Sequence, residues 1–247
     1  MSRPSFAVVL PARYGSTRFP GKPLADIAGR PLIEWVHRRA SEIRGAEALV
    51  VATDDIRIAQ CVRGFGGDVV MTDGDHATGT DRVAEVARGI DCDVIVNLQG
   101  DEPVFDPAMV EALVERLADD SIDMTTACHS IDTPADFENP HVVKVVTRAD
   151  GTALYFSRAA IPEGAFEAGA VVPMRHVGVY AYRREVLLRL ASLERTPLEM
   201  SEGLEQLRAL ENGMTISVLL TECMTIGVDV PGDVKSVAKV IGANYTE

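Results

Sequence analysis

The sequence predicts an α/β fold: a doubly wound, mostly parallel sheet with an α+β excursion in its second half. Three observations predict it. Short, nearly all-apolar runs at residues 6–10 (FAVVL), 48–52 (ALVVA) and 93–98 (DVIVNL) alternate with helical patterns through the first half. Strands that are apolar on both sides belong to parallel sheets covered by helices on both faces. The connection after the first run is a Gly/Pro-rich stretch, 11–30, at the carboxyl end of a strand, where open α/β sheets bind ligands. A chain of 247 residues is long enough for one large domain of this kind.

The elements follow in order. Residues 6–10 form the first strand. Pro31 suits the first turn of a helix over 31–44, with Leu32, Trp35 and Val36 on one side. The second strand is 48–52, and Thr53 or Asp54 caps a helix that runs to about Gly64. Residues 68–71 form a third strand. A helix begins near Thr80 and carries Val83, Ala84, Val86 and Ala87. The fourth strand is 93–98, and Asp106 is placed to cap a helix over 107–117. In the second half, 124–128 is a strand, and 142–147 with 153–156 forms a hairpin around Asp150-Gly151. Residues 176–182 form a strand, 184–193 and 202–212 helices, 216–220 a late strand and 231–241 a terminal helix. Gly213 stops the helix before it. No internal repeat or linker interrupts the chain.

Composition excludes several function classes. The chain is 47% hydrophobic and 25% charged, with a net charge of −13 and only 5% aromatic residues. It is neither disordered nor a disulfide scaffold, and a broad nucleic-acid or anionic-membrane footprint would need a basic face. No apolar run reaches the length of a transmembrane helix, and the apolar start ends too soon, at Pro11, for a signal peptide. The four cysteines, Cys61, Cys92, Cys128 and Cys223, form no C-x-x-C pair; they read as reduced, buried small hydrophobes in a cytoplasmic protein. The five histidines show no metal-type spacing. The charge is uneven, however. Residues 1–44 hold eight Lys/Arg against three acids, and a basic segment on an acidic protein suggests a local anion site.

Three clusters carry chemistry. In the first, PARYGSTRFPGKPL (11–24), small residues let backbone amides approach an anion, beside hydroxyls and the cations Arg13, Arg18 and Lys22. This is a polyphosphate cradle, but neither a G-x-x-x-x-G-K-[ST] nor a G-x-G-x-x-G pattern, which disfavours P-loop NTPases and dinucleotide dehydrogenases. The second is NLQGDEP (97–103), where a buried strand ends in polar and acidic residues on the same sheet edge. Asp101 there can hold a divalent cation beside a triphosphate, as Mg²⁺ takes one or two carboxylates plus phosphate oxygens. The third is GVDVP (227–231). Asp229 either caps the terminal helix or supplies the second carboxylate to the metal. Residues 78–82 (TGTDR) open a helix and either bind a nucleotide or serve as a plain cap. His176 alone reads as a structural hydrogen-bonder, and Glu205-Gln206 with Arg208 as a solvated helix face.

With these residues assembled, the sequence resembles the 3-deoxy-manno-octulosonate cytidylyltransferases, also called CMP-Kdo synthetases. The matching stretches are PARYGSTRFPGKPL, VATDD (51–55), TGTDR, NLQGDEP, ALYFSRAAIP (153–162), RHVGVYAY (175–182), LEQLRALENG (204–213) and VDVPGD (228–233), in family order over nearly the whole chain. The resemblance implies a Rossmann-like nucleotidyltransferase fold in one domain, 1–247. About 1–120 would bind the nucleotide, about 121–225 would bind sugar and dimerise, and 226–247 would return to the first part. It implies transfer of CMP from CTP to an eight-carbon 3-deoxy-2-keto sugar acid with release of pyrophosphate, Mg²⁺ as cofactor, a role in lipopolysaccharide synthesis and a homodimer. By motif position, Arg13, Ser16 and Lys22 hold the phosphates, Thr78 and Arg82 lie near the nucleoside, and Asp101 and Asp229 bind Mg²⁺. Gln99, Arg158, His176, Tyr180, Glu205 and Gln206 fall where the family binds the sugar acid, Gln99 also bordering the nucleotide. Lys22, Arg13, Asp101 and Asp229 are the residues implied in catalysis.

Two departures from the family pattern stand out. Val230 and Gly232 replace the Thr and Glu of V-D-T-P-E-D, and the 163–173 segment is shorter than in several relatives. The acceptor is therefore Kdo or a modified octulosonate such as an 8-amino analogue. The alternatives are a sugar-1-phosphate nucleotidylyltransferase, and a nucleotide-binding protein without turnover.

Overall fold

The computed structural model describes residues 3–16, 18–168, 171–223 and 225–244; Thr17 of the phosphate loop and residues 169–170 of the 163–173 segment lie outside them. The first half builds β1 (Phe6–Pro11), a 3₁₀ turn at Lys22–Leu24, a small hairpin of β2 (Asp26–Ile27) and β3 (Arg30–Pro31), then α1 (Leu32–Ala40), β4 (Ala46–Thr53), α2 (Ile56–Gly64), β5 (Asp68–Met71), α3 (Gly79–Ala87), β6 (Val94–Asn97) and α4 (Pro107–Arg116). The second half adds β7 (Met124–Ser130), α5 (Pro134–Glu138), β8 (Lys144–Thr147), β9 (Ala153–Ser157), α6 (Ala165–Ala168) and β10 (Met174–Arg183). It ends with α7 (Arg184–Ser192), α8 (Pro197–Glu202), α9 (Gln206–Glu211), β11 (Ile216–Leu220) and α10 (Asp233–Asn244).

Apart from the β2–β3 hairpin, the strands form one sheet in the order β11-β7-β10-β6-β1-β4-β5, with β8 pairing with β10 and β9. β6, β1, β4 and β5 run parallel, whereas β10 is antiparallel to both β6 and β7. The parallel half is the doubly wound start the sequence predicts. Along β1, Phe6, Val8 and Leu10 join the core on one face, and Ala7 and Val9 join that on the other, all fully buried. That two-sided burial is why the strand reads as a continuous apolar run. The hairpin about Asp150-Gly151 also forms, as β8 and β9.

The structure corrects several expectations. The 11–30 stretch is not all loop: it contains the 3₁₀ turn and the β2–β3 hairpin. Neither Thr53 nor Asp54 caps α2; Asp55 does, its carboxylate accepting from the Arg57 amide at 2.9 Å. The expected 202–212 helix is two helices. Gly203 adopts φ +64° and ends α8, a left-handed conformation costly for residues with a Cβ, and α9 starts only at Gln206. The terminal helix starts at Asp233, whose carboxylate, not that of Asp229, accepts from the backbone amides of Asp229 and Val230. Of the cysteines only Cys128 is buried; Cys61, Cys92 and Cys223 are partly exposed.

Candidate active site

The carboxyl ends of β1 and β6 lie side by side, and two loops leave from them. After β6, Gly100 packs so tightly that a Cβ would stand 2.7 Å from the Pro11 carbonyl oxygen. Only glycine lets the Gln99–Glu102 turn rest against the end of β1. Because β10 runs antiparallel to β6 with Tyr180 opposite Asn97, the first half of β10 projects past the end of β6 and walls the same space. The result is a cavity of about 500 Å³.

Every site residue expected from the sequence lines it: Arg13, Ser16 and Lys22 on the first loop; Thr78 and Arg82 at α3; Gln99 and Asp101 after β6; Arg158, His176 and Tyr180 on the β9–β10 side; Glu205 and Gln206 before and in α9; and Asp229. Lys22, almost buried, hydrogen-bonds Asp101 Oδ2 and stands 3.9 Å from Asp229 Oδ1. Arg18 reaches Asp229 from solvent at 3.2 Å. Both carboxylates thus face one cation. Two hard oxygen donors of this kind suit Mg²⁺, which completes its shell with water and substrate phosphates. Among the described residues no group of three or more metal-ligating side chains is present, so a protein-only cage is not built here. Glu102, just beyond, has its carboxyl pushed up to about 7 by burial and by Asp101 and Asp229, with Arg175 pulling it back.

The α3 side is fixed by internal bonds. Thr78 and Asp81 form a reciprocal capping box, so Thr78 caps α3, and the residue borders the cavity as well. Arg82 is only 4% exposed. Its guanidinium bonds Thr72 and the Asp73 carbonyl, with Asp54 at 3.2 Å. It enters the cavity wall as a pinned plane, not a mobile charge.

At the opposite end Tyr180 and Gln206 are buried and Arg158, His176 and Glu205 half-buried. His176 lies between Phe156 and Tyr180, ring centroids 5.0 and 5.4 Å away, and burial pushes its pKa down to about 3. Its Nε2 is 2.9 Å from Thr126 Oγ1, which also bonds the carbonyls of Val177 and Val179 at 3.1 and 2.8 Å. The one hydroxyl hydrogen of Thr126 goes to a carbonyl, so Nε2 must donate to the hydroxyl and Nδ1 is left as an acceptor. Burial likewise raises the phenol pKa values of Tyr180 and Tyr182. Glu205 is raised by burial, with Thr80 donating to it at 2.5 Å. Gln206 is 5% exposed and its Nε2 has no partner among the described residues, a donor left for a ligand. The solvated-face expectation for this segment is therefore overturned. Arg208 is buried in a bidentate pair with Glu199, at 2.8 and 2.6 Å, which ties α9 to α8 and seats Glu205 and Gln206. Burial works to raise the Glu199 pKa, but Arg208 holds it below the usual range.

Sequence reasoning did not single out Asn97, Tyr182, Thr80 or His76, which also line the cavity. Asn97 is 1% exposed. It is the one polar residue inside the apolar 94–98 run, and that was its available signal.

The comparisons with known proteins fall on this same frame. The family model for cytidylyltransferase matches residues 7–216. A 3-deoxy-manno-octulosonate cytidylyltransferase of Geobacter sulfurreducens is 49% identical, over 94% of this chain and 98% of its own. One of Myxococcus xanthus is 51% identical, over 95% and 96%. A solved structure of CMP:2-keto-3-deoxy-manno-octonic acid synthetase complexed with CTP superposes with a TM-score of 0.92 at 42% identity, over 97% of this chain and 99% of that one. A cytidylyltransferase of Leptospira borgpetersenii shares the fold at TM-score 0.60 and 17% identity.

Proposed function

The chain belongs to the cytidylyltransferase family, and from that premise we propose that it transfers CMP from CTP to the anomeric hydroxyl of 3-deoxy-D-manno-octulosonate (Kdo), releasing pyrophosphate. The observation that carries this reading is one continuous cavity. It has a cationic loop with two paired carboxylates at one end and a cluster of hydrogen-bonding side chains at the other.

Arg13, Ser16 and Lys22 take the triphosphate, with Thr78 and Arg82 beside the nucleoside. Gln99 sits between the two substrates. Arg158, His176, Tyr180, Glu205 and Gln206 hold the sugar acid, Gln206 through its unpartnered amide and His176 through Nδ1. The hydroxyl attacks the α-phosphorus in line with departing pyrophosphate, so the protein's work is positioning and charge neutralisation. Lys22 and Arg13 neutralise charge on the leaving group; no side chain becomes a nucleophile. Asp101 and Asp229 would hold Mg²⁺, which when bound supplies Lewis acidity and lowers the hydroxyl's pKa. The domain reads as one unit, 1–120 for nucleotide, 121–225 for sugar and dimerisation, 226–247 returning with Asp229.

The reading extends to lipopolysaccharide synthesis in the cytoplasm by a homodimer. Sedimentation velocity checks the oligomeric state. Among the described residues no helix is long and apolar enough to cross a membrane. The direct test is pyrophosphate release from CTP and Mg²⁺ with Kdo, its 8-amino analogue and neuraminate as acceptors. Release is expected with a 3-deoxy-octulosonate, and none with any of them overturns the proposal.

A further inference from the structure

Tyr14 is outside the cavity, yet the phosphate loop turns on it. Its carbonyl accepts from the amides of Ser16 and Gly21, both at 2.9 Å, closing the loop on itself. Gly21 immediately precedes Lys22, and a Cβ there would come within 3.0 Å of the Tyr14 ring. The ring therefore backs the segment that delivers the Lys22 ammonium. On its other side lies α2. The Arg57 guanidinium carbon stands 3.3 Å from the Tyr14 ring centroid. Asp55, the cap of α2, accepts from Arg57 Nε at 2.9 Å and Nη2 at 2.6 Å. A guanidinium gripped edge-on by a carboxylate and stacked face-on against an aromatic ring is a geometry arginine provides and lysine does not. Arg57 is mostly solvent-exposed, so this ordering of a long side chain is not a by-product of burial.

We propose that Asp55, Arg57 and Tyr14 are positioning residues for Lys22. The chain of contacts runs from the capped first turn of α2, through the stacked guanidinium, to the ring behind Gly21. It fixes a long loop to the sheet scaffold, so that Lys22 holds one place opposite Asp101 and Asp229. None of the three lines the cavity, so the effect reaches the reaction only through the loop. The inference rests on the role assigned to Lys22 above.

The test is steady-state pyrophosphate release with CTP and Kdo, with melting temperatures, for Arg57→Ala, Arg57→Lys, Tyr14→Phe, Lys22→Ala and the Arg57→Ala/Lys22→Ala double variant. Losing a cation–π contact of this exposure should lower kcat about two- to fivefold, with KM for CTP little changed. Arg57→Lys should behave as Arg57→Ala, because it keeps the charge and loses the plane, whereas Tyr14→Phe should retain nearly full turnover. On the residual turnover of Lys22→Ala, removing Arg57 should change kcat by less than about 1.5-fold, the non-additivity of groups acting through one another. An equal fold-loss in both backgrounds overturns the proposal. So does a lowered melting temperature with unchanged kcat, which makes the stack merely structural. Wild-type turnover in Lys22→Ala would instead strike the role of Lys22 itself, and the positioning proposal with it.

Discussion

The two ends of the cavity solve opposite problems. At the β1–β6 end charge is displayed: Lys22, Arg18, Asp101 and Asp229 meet with their carboxylates partly open to solvent. At the β10–α9 end uncharged hydrogen-bonding groups outnumber the charged ones. His176 is held neutral, the tyrosines are kept protonated and Gln206 carries an unmet hydrogen bond. A triphosphate is recognised by its charge, and water competes little with a clustered cationic loop. A polyhydroxylated sugar is recognised by hydrogen-bond pattern, which discriminates only where water is excluded and an unmatched group is costly.

The comparison breaks most severely at the buried pair that seats the sugar end. Arg208→Leu leaves the buried Glu199 of α8 with only Arg195, at 3.4 Å, and the Thr196 amide, and should destabilise the fold by about 3 kcal/mol, read by urea unfolding. The charged end should fail differently. Asp101→Asn should lower kcat by roughly a hundredfold while CTP binding, by calorimetry, partly persists; near wild-type turnover would remove Asp101 from the reaction. Gln206→Leu sharpens the contrast. Replacing a buried, unpartnered donor should raise stability by about 1 kcal/mol, or roughly 2–4 °C in Tm, while raising KM for the sugar and leaving that for CTP unchanged. A lower Tm would mean that Nε2 is satisfied in solution.

The last test concerns pH. His176 takes up a proton only near pH 3 when folded, whereas an unfolded histidine does so near 6.5. Between those values the unfolded state binds the extra proton, so this contribution to stability falls as pH falls from about 6.5 towards 3. NMR should show the His176 ring unprotonated at pH 5, and titration near 6.5 would contradict the neutral-pocket description.

The charged end was more legible in the sequence than the β10–α9 end. The phosphate loop and Asp101 follow directly on buried strands, so local pattern and strand direction suffice to bring them together. Asp229 could not be separated from a cap by spacing, because the helix starts at Asp233, only about one helical turn further on. At the β10–α9 end, the residues meet through the antiparallel insertion of β10 beside β6, a pairing that apolar runs do not encode. The break at Gly203 turned what looked like one solvated helix into two, burying Arg208 and turning Gln206 inward. The partnership of Arg82 with Asp54 likewise spans separate elements and leaves no trace in either motif.

The central claim is that the two ends bring a nucleotide and a sugar acid together for transfer, and phosphorus NMR of the product tests it most directly. With CTP, Mg²⁺ and Kdo, the account predicts a CMP phosphodiester to the anomeric oxygen, formed in step with pyrophosphate. Free CMP and pyrophosphate without a sugar-linked phosphorus signal, or CTP left unchanged, would contradict it.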